Sequence, residues 1–103
     1  MLIKHTGNNE LTITGNIKSV EDGQEIKQAI DAIQKKGVKS ILLKIQDSFS
    51  MTSTVIGHLM KTVNIDRVGL SIVVGDRRLY QLLEELSLID VFNVRLLDRT
   101  AGR

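Results

Sequence analysis

Two short apolar runs constrain the fold most. "VKSILLKI", residues 38–45, and "GLSIVV", residues 69–74, are dense in Ile, Leu and Val and are bounded by turn residues. Runs of this length and β-branched content read as buried strands. A helix-period pattern follows each of them. After the loop "QDSFSM", Ile56, Leu59, Met60 and Val63 fall on one face of a helix starting at about Ser53. After the second run, Asp76 is placed to cap a helix in which Leu79, Leu82, Leu83 and Leu86 form the buried stripe.

The same reading extends to both ends. "LIKHTGNNELTITG" reads as a hairpin, with residues 2–5 and 11–14 extended and "GNNE" supplying the turn chemistry. "SVEDGQEIKQAIDAIQKKG" reads as a helix. Ser19 with Asp22 three residues on forms a capping box, Ile26, Ile30 and Ile33 repeat at helical spacing, and Lys35, Lys36 and Gly37 supply the stop. "FNVRLL" is a last strand, and "DRTAGR", residues 98–103, is a loose tail. The order β-β-α-β-α-β-α-β predicts an α/β fold, a single domain over residues 1–103. It calls for a mainly parallel sheet of about five strands with an N-terminal hairpin, the helices packing on it through right-handed crossovers.

Composition narrows the function. Hydrophobic residues make up 42% but aromatics only 3%, so the core is aliphatic. There is no Cys, which removes disulfides, thiol catalysis and Cys-ligated metals and fits a reducing, cytoplasmic location. The N-terminus has no long apolar segment, so no secretory signal is expected, and no run is long enough to insert in a membrane. Fourteen cations against twelve anions give a formal net charge of +2, a small excess. Lys35, Lys36 and Lys39 are the only local cluster, with no interleaved aromatics, so they read as a solvated helix end and no nucleic-acid partner is expected.

Enzyme signatures are missing. Neither G-x-x-x-x-G-K nor G-x-G-x-x-G occurs, so no common phosphate cradle is present. His5 and His58 lie in different elements with no carboxylate at ligand spacing, and His58 reads as a surface helix residue. Glu84 and Glu85 lie opposite the leucine stripe, and Asp47 and Asp66 read as loop acids near helix ends. No nucleophile comes with its own base, so no catalytic residue, metal site or cofactor is expected.

One stretch stands out against this plain background. "SMTSTVIGHLM", residues 50–60, puts three hydroxyls in a row, Thr52, Ser53 and Thr54, where the second helix begins. Such hydroxyls cap helices by accepting an orphan backbone N–H. The same N-terminus, with free N–H donors and partial positive charge, also tolerates a phosphate. Ser53, Gly57 and Lys61 repeat every four residues and so share one exposed stripe, with a bare spot at Gly57.

Taken together, these blocks resemble the STAS domain, the fold of bacterial anti-sigma-factor antagonists, over nearly the whole chain. The family's strand ending in Gly before a helix matches "LTITGNIKSVEDGQEIKQAI". Its apolar strand, loop and D-S/T-S-G-like motif match "ILLKIQDSFSMTSTVIGHLM", and its closing block matches "GLSIVVGDRRLYQLLEELSLIDVFNV". Aligned without gaps, Thr52 falls on the family Asp, Ser53 on the phosphorylated Ser or Thr, and Thr54 on the following Ser. A shift of one residue would make Thr52 the acceptor but would misplace Gly57 and the apolar stripe. "TSTVIGHL" is closer to the stressosome branch of the family than to the D-S-S-G form.

The resemblance implies a non-enzymatic switch. The unmodified domain binds a serine/threonine protein kinase that often doubles as an anti-sigma factor. The kinase phosphorylates Ser53, the complex changes, and a PP2C-type phosphatase resets it. The implied contact residues are Thr52, Ser53, Thr54, Gly57, His58 and Lys61. The sequence departs from the family where Thr52, Lys18 and Lys44 replace acids, so the surroundings of Ser53 are expected to be less acidic. A second implied role is a constitutive binding subunit, in a lipid-transport ATPase or a scaffold, with Ser53 acting only as a cap.

Overall fold

The chain folds in the order β1 (Leu2–Gly7), β2 (Glu10–Thr14), α1 (Val20–Gln34), β3 (Ser40–Ile45), α2 (Ser53–Asn64), β4 (Gly69–Val74), α3 (Arg77–Glu85) and β5 (Val94–Leu96). The computed structural model describes residues 1–97, and the expected tail at 98–103 lies outside the described residues. The element order is the one the apolar periodicities predict. The five strands form one sheet in the order β1-β2-β3-β4-β5. β1 is antiparallel to β2, and every later pair is parallel.

Sequential strand order decides where the helices go. Each crossover steps to the next strand in the same direction. With one handedness throughout, all three helices then land on one face of the sheet. Burial follows that geometry. Leu11, Ile13, Ile41, Leu43, Ile45, Leu70, Ile72 and Val74 lie in one core with Ile26, Ile30 and Ile33 of α1, Val55 and Leu59 of α2, and Leu79 and Leu83 of α3. Fully burying each such side chain is worth about 1.5–3 kcal/mol. The strand residues between them, Thr12, Leu42, Lys44, Ser71 and Val73, are only partly covered. The expectation of buried strands therefore holds for one face only, and the other face carries no helix among the described residues.

Local chemistry fixes the element ends. Ser19 Oγ accepts from Asp22 N at 3.0 Å and the Asp22 carboxylate accepts from Ser19 N at 3.1 Å, completing the capping box. Asp76 caps α3 by accepting from Arg78 N at 2.8 Å. Gly15 ends β2 with φ +86, and a Cβ there would lie 3.0 Å from Met1 Cα, so the position suits glycine on both counts.

Two helical stripes differ from their sequence reading. On α2 the buried residues are Val55, His58, Leu59 and Thr62, while Met60 is 39% exposed. The stripe is rotated by one residue, and Thr62 Oγ1 donates to the His58 carbonyl at 2.9 Å, so its hydroxyl is buried with its hydrogen bond made. On α3, Leu86 is not part of the buried stripe but 48% exposed. The helix ends at Glu85, Ser87 turns the chain with φ 59, and Leu88 returns to the core instead.

Candidate functional site at the start of the second helix

Parallel strands end together, so the loops leaving β2, β3 and β4 and the N-termini of all three helices share one edge of the sheet. This is the usual location of sites in open α/β folds. The loop between β3 and α2 is tied to the one after β2 by three hydrogen bonds. Asp47 Oδ1 accepts from Gly15 N at 2.6 Å, Ser48 Oγ from Ile17 N at 3.0 Å, and Asn16 Oδ1 from Phe49 N at 3.3 Å. Ser48 is fully buried and also donates to Ser50 O at 2.7 Å. Met51 anchors the loop in the core at 7% exposure.

The three hydroxyls divide between two roles. Thr52 is the N-cap, extended at φ −75 and ψ 155, and its Oγ1 accepts from Val55 N at 3.3 Å. Ser53 and Thr54 follow as exposed residues of the first turn. Among the described residues neither of their hydroxyls has a hydrogen-bond partner. The first turn of α2 contains no acid, so no side chain of its own offsets the positive end of the helix. α1 approaches here through buried Gly23, where an added Cβ would lie 3.6 Å from Thr52 Oγ1. The Asp22 carboxyl beside it is held below the usual carboxylate range by the backbone N–H groups of Lys18 and Ser19.

The expected exposed stripe is present. Ser53, Gly57 and Lys61 are exposed, and nothing lies within 4 Å of a Cβ built on Gly57. Lys61 Nζ is held 3.2 Å from Asp66 Oδ2, an acid that also accepts from Gln34 Nε2 and is lowered in pKa chiefly by that bond. His58 does not belong to this surface. Its side chain is buried against α1, with Nε2 3.4 Å from Asp31 Oδ1 and no hydrogen bond formed. Burial pushes its pKa down; Lys27 and Lys61 act in the same direction and Asp31 and Asp66 oppose. The cause of the misreading is the rotated stripe of α2.

Lys44 is displaced from the expected picture as well. It projects from the helix-free face of the sheet and pairs with Glu10 Oε2 at 3.3 Å, so it does not line the surroundings of Ser53. Lys18 is exposed before α1.

Phe49 is the residue that sequence reasoning passed over as loop. It is 43% exposed, and Arg78 lies over its ring at 4.8 Å while pairing with Asp76 at 2.8 Å. A cation over an aromatic face is held by the ring quadrupole. The available signal was an aromatic flanked by serines in a segment with no apolar period. Among the described residues no group of three His, Asp or Glu side chains could hold a metal ion, and no helix is long and apolar enough to cross a membrane. No protein-family model, curated protein or solved structure matches the chain.

Proposed function

We propose that this chain is a STAS-type signalling protein of the bacterial cytoplasm. It acts without catalysis, through protein–protein binding switched by phosphorylation of Ser53. One observation carries the reading: Thr52 performs the capping, which leaves the Ser53 hydroxyl exposed and without a structural task at a helix N-terminus. A kinase that doubles as an anti-sigma factor supplies nucleotide, metal and base, and a PP2C-type phosphatase removes the phosphoryl group. The helix end accepts the added charge because free N–H groups and the dipole favour an anion there. A partner seated over Ser53, Thr54 and the bare Gly57 does not. A dianion of nearly two charges in a desolvated contact costs several kcal/mol unless cations meet it.

The test pairs two variants with the cognate kinase. Mass mapping after incubation with ATP is expected to place the phosphate on Ser53. Ser53→Ala is expected to keep the complex and Ser53→Asp to lose it. Phosphate elsewhere, or equal binding by both variants, overturns the switch; the latter result describes a constitutive binding subunit.

A further inference from the structure

The helix-free face of the sheet has a definite chemical pattern, which follows from the strand register. Lys4 pairs with Thr12, Thr12 with Lys44, Lys44 with Val73, and Val73 with Arg95. Directly paired residues point to the same face. One row across all five strands therefore reads Lys4, Thr12, Lys44, Val73, Arg95. Four steps at the usual strand spacing make this row about 19 Å long. Lys44 is engaged by Glu10. Lys4 and Arg95 are exposed and have no ion pair among the described residues. Beside the row, Lys44, Val73, Gly75 and Leu97 line a depression of about 250 Å³, and Leu97 is 51% exposed.

All-parallel sheets are nearly always covered on both faces; in this mixed sheet the parallel strands β2 to β5 are covered on one face among the described residues. We infer that the open face is a docking surface for an acidic segment of a partner protein, its carboxylates meeting Lys4 and Arg95 on either side of the Lys44–Glu10 pair and an apolar side chain entering the depression at Val73 and Leu97. Charge selects this occupant over a second copy of the chain. Two such faces pressed together would place like charges against each other, which is destabilising. Chemistry selects it over a nucleic acid. Binding of single strands leans on aromatic stacking, and no position of this row is aromatic. The inference goes beyond the proposed switch: Ser53 lies on a helix packed against the opposite face, so the two surfaces fail or succeed separately.

The test is a titration of the isotope-labelled chain with a peptide of about twelve residues in which Glu alternates with Leu, long enough when extended to span the row. Backbone amide shifts are expected to change at Thr12, Lys44, Val73 and Arg95, saturably, with affinity falling as salt rises. Lys4→Glu with Arg95→Glu, both at exposed positions, is expected to lower the affinity roughly tenfold while the unfolding midpoint stays in place. Ser53→Asp is expected to leave this binding unchanged at physiological salt. Shifts confined to the helical face, no saturable binding at low salt, or tighter binding of an oligothymidylate overturn the proposal. So does concentration-dependent dimerisation that the double charge reversal abolishes.

Discussion

Replacing the hydroxyls one at a time separates cap from target. Thr52→Ala removes the acceptor for Val55 N and leaves that part-buried donor without its partner. Cap removal costs about 0.5–2 kcal/mol, and the 3.3 Å length of this bond places it in the lower half of the range. In a domain of this size about 1 kcal/mol lowers the melting temperature by roughly 4–8 °C. Ser53→Ala removes a hydroxyl with no partner and introduces the best helix former. Its expected effect is within about 0.5 kcal/mol of zero, on the stabilising side. Urea unfolding followed by far-UV circular dichroism measures both. A Ser53→Ala loss equal to that of Thr52→Ala would refute the division of roles, because Ser53 would then be carrying the cap. The near-neutral result would also make Ser53→Ala a clean probe of signalling, free of a folding defect.

Two further measurements address the interior and the loop. His58 has its pKa lowered by burial from an ordinary 6.5, so the unfolded state binds its proton more readily. Its contribution is fully present above about pH 6.5 and is lost as pH falls through the native value. The depressed carboxylates of Glu10, Asp22, Asp66 and Asp76 act only below their ordinary 4.5 or 3.8, so the windows separate. Urea unfolding at about pH 7.5 and about pH 5.5 is expected to show lower stability at the acid value, and His58→Leu is expected to flatten that difference; a slope unchanged in the variant contradicts the assignment. Ser48→Ala leaves Ile17 N and Ser50 O without their shared partner, and the expected loss is about 1–3 kcal/mol in the same assay. A loss under about 0.5 kcal/mol would mean the two loops are not held together by this residue.

The element order was legible because two patterns alternate cleanly along the chain. Short apolar runs, "ILLKI" and "LSIVV", bounded by turn residues, are set among helical periods, and Ser19 and Asp76 mark helix starts by chemistry as well as by position. The rotated stripe of α2 was not legible. Hydropathy ranks His58 and Thr62 as surface residues, and neither the bond from Thr62 Oγ1 to the His58 carbonyl nor the approach of His58 to Asp31 can be read from the sequence. The open sheet face was hidden for a different reason. "SILLKI" and "GLSIVV" carry apolar residues at outward positions, Leu42 and Val73, so each run looks buried on both sides. Which side the helices take is set by strand order, and strand order is a property of the whole chain. At the candidate site the hydroxyl row was visible, but its division was not, because capping depends on which residue adopts extended dihedrals before the first turn.

The two surfaces differ in how far their charges reach. The chain has a formal net charge of +2, and a phosphoryl group adds about −1.5 to −2, so the proposed modification of Ser53 would bring the protein close to neutral. A global effect of that kind would weaken attraction of an acidic segment at the open face. Screening limits it. Ser53 begins a helix on one side of the sheet, and Lys44 and Arg95 project from the other. A helix with its side chains is about 10 Å across, so a layer of that thickness between them exceeds the Debye length of about 8 Å at physiological ionic strength. A phosphate on Ser53, as proposed, would therefore be a local signal under those conditions, felt by a partner over Ser53 and Gly57 and not by one on the sheet. At an ionic strength of about 0.01 M the Debye length grows to about 30 Å, and Ser53→Asp is expected to slow association of the acidic peptide with the far face. Stopped-flow association rates at the two salt concentrations measure this. A Ser53→Asp effect of equal size at both would mean the two surfaces are coupled through the fold rather than through the field.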